Sequence, residues 1–268
     1  MVAVAIDGPA DPRLEPYRAV RERDLTGREG LYVAEGRVVL EKAVAVDPAA
    51  VVSVLVAAHR LESLAGVLAG LPPSTPVYAA GQAAMDAVVG FPIHRGILAL
   101  VRRPVRDAAA LVARLPARAL VVGLVGIANH DNMGGIFRNA AAFGADAVLL
   151  DDTCCDPLYR KAIRVSVGAA LSVPFARAGN AAAMADLLAG AGFDIVALSP
   201  RGDVELADYA PGPRTAALFG AEGPGLPQAV MARARTVRIA MAGGFDSLNV
   251  ATTSGIVLHN LGARRATP

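Results

Sequence analysis

Cysteine and lysine are nearly missing from this chain of 268 residues, and each shortage closes off a class of function. The two cysteines, Cys154 and Cys155, are neighbours in sequence, a separation that rarely permits an unstrained disulfide. Packing is therefore the expected role of both thiols. The four histidines, His59, His94, His130 and His259, are scattered without the spacing of a zinc site, so no metal is expected. Lysine occurs only at Lys42 and Lys161, which leaves arginine to carry nearly all the positive charge. Two readings of that bias stand side by side: a GC-rich genome, or recognition of phosphate by the guanidinium fork. A net charge of +2 does not by itself argue for nucleic acid.

Long apolar runs are lacking as well. Hydrophobic residues make up 54% of the chain, yet no uninterrupted run reaches the ~20 residues that a membrane span needs. The longest candidate, Ala119–Ala128, has the length of a strand. Asp7, Pro9 and Asp11 break up the N-terminus, so no export signal is expected and the cytoplasm is the expected location. Several common site motifs are also absent. The glycines Gly123 and Gly126 do not complete G-x-G-x-x-G, and neither a phosphate-binding G-x-x-x-x-G-K-S/T nor a G-x-S-x-G nucleophile elbow occurs.

What is present is alternation of strand and helix. The length favours two domains or one large α/β unit. Residues 1–12, rich in Ala, Pro and Asp, are expected to fray, and Arg13–Arg28 reads as an amphipathic helix. Strands are expected at Leu31–Ala34, Val51–Val56, Val77–Ala79 and Gly96–Val101, with helices at Arg37–Val46 and Leu61–Leu71. Arg102–Arg118, bounded by prolines inside a basic cluster, reads as a seam. Beyond it strands are expected at Leu120–Val125, Ala147–Leu150, Asp194–Leu198, Ala216–Phe219 and Val237–Ala240. Helices are expected at Gly135–Phe143, Tyr159–Val167, Ala181–Ala191 and Leu248–Leu261. The second half thus reads as a parallel sheet with helices on both faces.

Three stretches concentrate polar residues and glycine just after strands, where α/β proteins place ligands. In Asn129–Asp146, Asp131 or Asn132 is a candidate helix cap, and Arg138 lies about a turn and a half inside. That arginine is either a solvated surface charge or a cation suited to phosphate or ribose. In Leu218–Leu226, Gly220, Gly223 and Gly225 surround a single carboxylate, Glu222, either as a tight turn or as a cradle for a flat ligand. In Thr236–Leu261, residues Ala242–Asp246 turn and Ser247 is an adequate helix cap. Asn249 is harder to explain, since asparagine is only a middling helix former.

Together these stretches resemble the SpoU-type (TrmH-like) RNA ribose 2′-O-methyltransferases of the SPOUT class. That family carries, in order, N-x-G-x-I/L-x-R-x-A, F-G-x-E-G-x-G-L and I-x-M-x-G followed by S-L-N; here these are Asn132–Ala140, Phe219–Leu226 and Ile239–Asn249. Lys161–Gly168 resembles the family's basic helix, and Arg37 with Gly96–Val101 resembles its L30e-like substrate-binding domain. His130 and Ala240 stand where the family usually has proline, which bears on loop shape more than on chemistry. The resemblance implies an L30e-like RNA-binding domain over 1–105, a linker over 106–117, and a SPOUT domain with a deep trefoil knot over 118–268. It also implies a homodimer whose active site borrows from the partner subunit, with S-adenosylmethionine as cofactor and ribosomal or transfer RNA as substrate. The implied catalytic set is Asn132, Arg138, Glu222, Ser247 and Asn249. Leu218, Gly220, Glu222, Gly225, Ile239, Met241, Ser247 and Leu248 would hold the cofactor, and Arg138, Arg164 and Arg37 the RNA. Because a free arginine stays protonated at any working pH, Arg138 reads as a clamp on the phosphate, with base character only if that phosphate takes part in the proton transfer.

Overall fold

A computed structural model describes residues 3–18, 30–89, 96–243 and 247–266. Residues 19–28 of the expected N-terminal helix, His94, and positions 244–246 of the expected turn lie outside the described residues. In chain order the strands are β1 (Val4–Ile6), β2 (Leu31–Glu35), β3 (Val51–Ala57), β4 (Val77–Ala80), β5 (Ile97–Arg102), β6 (Ala119–Leu124), β7 (Ala147–Leu150), β8 (Phe175–Arg177), β9 (Asp194–Leu198), β10 (Val204–Glu205), β11 (Arg214–Phe219) and β12 (Arg235–Arg238). The principal helices are α1 (Arg37–Val46), α2 (Gln82–Val89), α3 (Ala108–Ala113), α4 (His130–Ala142), α5 (Arg160–Val165), α6 (Ala181–Gly190) and α7 (Val250–Ala266). They form two compact units, one of Met1–Pro104 with Leu158–Ser172, the other of Val105–Pro157 with Val173–Pro268.

The first unit is a mixed five-stranded sheet in the order β1-β4-β3-β5-β2, with β1, β4 and β3 parallel and β5 antiparallel to both of its neighbours. The β-branched run of β3 sits at its centre, buried at every position but Val52. Residues near the N-terminus do not fray as expected: β1 pairs with β4, Ile6 is buried, and Pro12–Tyr17 forms a short 3-10 helix. Asp11 caps that helix, and the Arg13 guanidinium bonded to it lowers its carboxyl to about 2. Composition alone overlooked this because three residues on a sheet edge carry little periodic signal. Leu158–Ser172 was expected in the second domain but clusters with the first. Its helix α5 packs on β2, and the following turn, Ala169–Ser172, packs on α1. The apolar side chains Ile163, Ala169, Ala170 and Leu171 are buried, so packing rather than chain order assigns the segment.

The second unit is a seven-stranded sheet in the order β10-β12-β9-β11-β6-β7-β8, parallel at every pairing. All six residues of the central β6 are buried, the pattern of a strand covered on both faces. On one face α3 and α6 close over Val121, Leu149, Ile195 and Leu218. Helices α4 and α7 contact β7 and β11, and they pack against each other. Their approach is close enough that a Cβ on Gly135 would lie 2.8 Å from the Cβ of Ala251, so glycine is what lets the two helices meet there. The expected linker 106–117 contains α3, capped by Asp107 and packed on β7 and β8, because Ala108 and Val112 bury their side chains in this unit's core. Strands β8 and β10, three and two residues long at the two sheet edges, have no counterpart among the sequence expectations. Among the described residues no helix is long and apolar enough to cross a membrane. None of them forms a group of three or more His, Cys, Asp or Glu suited to a metal.

Candidate active site

Because β9, β11 and β12 are parallel and adjacent, the loops after them open along one sheet edge. Between those loops and the start of α7 lies a cavity of about 400 Å³, within the range of small-molecule sites. Of the residues expected to hold a cofactor, Gly220, Glu222, Gly225, Ile239, Met241, Ser247 and Leu248 line it, and Asn249 joins them. Leu218 does not. Its side chain is fully buried in the core beside Met184, and Phe219, pointing to the opposite face, lines the cavity instead. The alternation of side chains along a strand makes this a choice between neighbours. Sequence reasoning also missed the wall formed by Leu198, Ser199 and Pro200, together with Val237 and Thr253. The signal was available only in part: β9 was legible as a strand, but its pairing with β11, which brings its trailing loop to the site, was not.

Glu222 is the only charged side chain among the described residues lining the cavity, and two asparagines hold it. Asn132 donates from Nδ2 to Glu222 Oε1 at 2.8 Å, Asn249 donates to the same oxygen at 3.1 Å, and Asn249 Nδ2 also donates to Asn132 Oδ1 at 2.8 Å. The orientation of both amides follows from the backbone. Asn249 Oδ1 accepts the N–H groups of Ala251 and Thr252 at 2.9 and 3.2 Å, so its Nδ2 must face outward. Asn132 must then present Oδ1 to Asn249 and Nδ2 to the carboxylate. The result is a closed triangle whose bonds to Glu222 all end on Oε1 among the described residues.

Both helix starts differ from expectation, and the difference explains the triangle. The cap of α4 is Asn129, which accepts from Asp131 N at 2.7 Å, so neither Asp131 nor Asn132 caps. Asn132 instead lies buried in the first turn with its amide free for the site. Likewise α7 begins at Val250, and Asn249 rather than Ser247 satisfies its first N–H groups. The asparagine that looked out of place inside a helix stands just before one.

The loop carrying Glu222 folds back on itself through an Ala221–Gly225 bridge, with Gly225 N donating to Ala221 O at 3.0 Å. Gly220 sits under it so closely that a Cβ would lie 2.2 Å from Gly225 C and 2.4 Å from Leu226 N. Any other residue there would displace backbone. Arg138, expected in the same catalytic set as Glu222, is exposed on α4, does not line the cavity, and has no hydrogen-bond or ion-pair partner among the described residues. It stands six residues, about 9 Å of helix rise, beyond Asn132. Arg37 and Arg164 lie in the first unit, both exposed, and Arg37 pairs with Glu41 at 2.7 Å. The two cysteines are free, and burial pushes their thiols up to about 12 for Cys154 and about 11 for Cys155. Neither is a thiolate at neutral pH. Cys154 instead closes the loop after β6, accepting from Ile127 N and donating to Leu124 O, both at 3.3 Å.

Comparison with known proteins converges on one family. Residues 119–259 match the model of the SpoU rRNA Methylase family. The chain is 40% identical over 263 residues to an uncharacterized tRNA/rRNA methyltransferase of Mycobacterium bovis, covering 94% of this chain and 88% of that protein. Among solved structures, a crystal structure of an RNA 2′-O ribose methyltransferase is 26% identical with a TM-score of 0.81, covering 98% of this chain and 99% of that one. An AdoMet-bound rRNA methyltransferase from Sinorhizobium meliloti superimposes with a TM-score of 0.85 at 21% identity over 99% of both chains, a likeness of fold. The matched stretch contains Asn132, Glu222, Asn249 and the whole cavity between β9, β11, β12 and α7, and the chain belongs to the SpoU family of RNA methyltransferases.

Proposed function

We propose that this protein transfers a methyl group from S-adenosylmethionine to a ribose 2′-hydroxyl of ribosomal or transfer RNA. The observation that carries the reading is the Asn132–Asn249–Glu222 triangle at the wall of a mainly apolar cavity. Glycine-bordered backbone and the side chains of Leu198, Phe219, Ile239 and Leu248 suit a flat adenine, and one carboxylate suits a cationic ligand. When bound, S-adenosylmethionine supplies an electrophilic methyl on a sulfonium. The chain's own residues supply orientation and charge. Asn132 and Asn249 hold Glu222 in one pose, Ser247 and Asn249 face the cavity, and Arg138 clamps the phosphate beside the target ribose and stabilises the developing alkoxide.

The same reading includes a homodimer in which the active site borrows from the partner subunit, supported by the position of Arg138 outside its own cavity. It includes a deep trefoil knot made by the loops around 220–226 and 239–249, supported by the tight self-contact at Gly220. It places the enzyme in the cytoplasm with its RNA, and assigns an L30e-like RNA-gripping role to the first unit through Arg37 and Arg164. The exposed Arg37–Glu41 pair does not prevent this, since such pairs are weak and readily exchanged for phosphate. Replacing Arg37 or Arg164 by alanine is expected to weaken RNA binding and to reduce the slope of log affinity against log salt by about 1 each. An unchanged slope removes that residue from the RNA interface.

The deciding test is incubation of unmethylated ribosomal and transfer RNA with the protein and S-adenosylmethionine, followed by digestion and mass spectrometry. The expected product is a 2′-O-methylnucleoside. A base-methylated nucleoside would overturn the ribose assignment, and no methylated product from either RNA would overturn the reading as a whole.

A further inference from the structure

The hydrogen bonds at the site continue beyond the triangle to Asn139, a residue with no place in the chemistry so far. Asn139 lies seven residues after Asn132 on α4, two turns on and nearly the same face. Its Nδ2 donates to Ala251 O at 2.7 Å and to Ser254 Oγ at 2.9 Å, both on α7 and more than a hundred residues away in the chain. Ser254 is fully buried and itself donates to Ala251 O at 2.7 Å. The amide lies in a notch left by Gly255, where a Cβ would come within 3.2 Å of Asn139 Nδ2. Ala251 is therefore gripped at both ends of its backbone: its carbonyl by Asn139, and its N–H by Asn249 Oδ1. The bonds run Asn139 to Ala251, Ala251 to Asn249, and Asn249 to Glu222.

We propose that Asn139 is a positioning residue for methyl transfer, acting through Ala251 to set the pose of the Asn249 amide and hence of Glu222. This rests on the methyltransferase reading above. Without the Asn139 amide, the Ala251–Thr252 peptide loses the bond from its carbonyl to α4, and Asn249, whose Oδ1 accepts that peptide's N–H at 3.2 Å, loses its fixed height against Asn132. The role of Asn139 lies in geometry, since it does not line the cavity.

The test is a double-mutant cycle between Asn139→Ala and Asn249→Ala, with methyl transfer at saturating S-adenosylmethionine and thermal melting both measured. Asn139→Ala alone is expected to lower kcat by ~10- to 100-fold, the scale of a small misplacement of reacting groups, with its KM for S-adenosylmethionine within about threefold of wild type. In the Asn249→Ala background the same change is expected to alter kcat less than about twofold while still lowering the melting temperature. If Asn139→Ala melts lower but keeps kcat within about threefold, or if the two kcat losses multiply, the positioning role is overturned and Asn139 is a packing residue only. Should Asn139→Ala not fold, Asn139→Ser, which keeps one donor, is read through the same cycle by the same criteria. A wild-type protein that transfers no methyl group would overturn the parent reading and this role with it, whereas an active wild type with additive losses overturns this role alone.

Discussion

Arg138→Ala is expected to bind S-adenosylmethionine as wild type does and to lose methyl transfer by ~10²- to 10³-fold, the scale seen when one charge-stabilising donor is removed from an active site. The two halves of that expectation come from separate observations. Arg138 lines no part of the cavity and bonds to none of Asn132, Glu222 or Asn249, so deleting its side chain leaves the cavity wall intact. Its guanidinium is exposed and without a partner among the described residues, so it is available to an RNA phosphate without breaking an existing bond. Arg138→Lys keeps a point charge but not the planar fork, and is expected to fall between the two. Calorimetry with S-adenosylmethionine and a tritium-methyl assay on the same preparations check both halves. Full activity in Arg138→Ala would remove it from the mechanism, and a lost cofactor affinity would show that it acts on the cavity. Mixing the impaired Arg138→Ala and Asn249→Ala proteins tests the dimer: activity rises above the sum of the two separate preparations only if one protomer's Arg138 serves its partner's site.

Gly220→Ala is expected to be the most damaging single methyl group in the second unit. The added carbon would lie 2.2 Å from Gly225 C, 2.4 Å from Leu226 N and 2.6 Å from Gly225 O, all backbone atoms that no rotamer change can move aside. Relief requires shifting the 221–225 loop, which means giving up the Ala221–Gly225 bridge and moving Glu222 away from both asparagines. Overpacking of this kind costs about 1–3 kcal/mol or more, and a chain of this length loses about 2–4 °C of Tm per kcal/mol. Affinity for S-adenosylmethionine is expected to fall with it, by about tenfold or more, because Gly220, Glu222 and Gly225 are all cavity wall. Gly190→Ala is the matched control. It ends α6, has open space at its Cβ and no positive φ, so the same substitution there is expected to be neutral or slightly stabilising. Melting curves that fail to separate the two variants would show that the loop is softer than its contacts indicate.

Three polar, glycine-rich stretches following strands contain Asn132, Glu222 and Asn249, which the family resemblance grouped into one set, and those three side chains do meet. The errors cluster where neighbours in sequence compete for one role. Leu218 and Phe219 are both apolar and both on β11, yet only Phe219 reaches the cavity, because the strand alternates and the cavity lies on one side. Ser247 was the expected cap for α7, with Asn249 inside the helix, and Asp131 or Asn132 was the expected cap for α4. The chain uses Asn249 and Asn129. A slip of two or three residues in a helix cap is small in the chain but decides which amide is spent on the backbone and which is left for the site.

By itself the amino-acid sequence determined the alternating α/β pattern and the buried strands of the second unit, because these are written in local period and local chemistry. Only the tertiary structure decided that Leu198–Pro200 form a wall, that Leu158–Ser172 packs with the first unit, that Arg138 stands apart from Glu222, and that Asn139 grips Ala251. Each of these depends on strand order or on how closely two backbones approach. Period along a chain says which face of an element is buried. It does not say which residue, 90 or 117 positions away as for Asn132 with Glu222 and Asn249, will be waiting against that face.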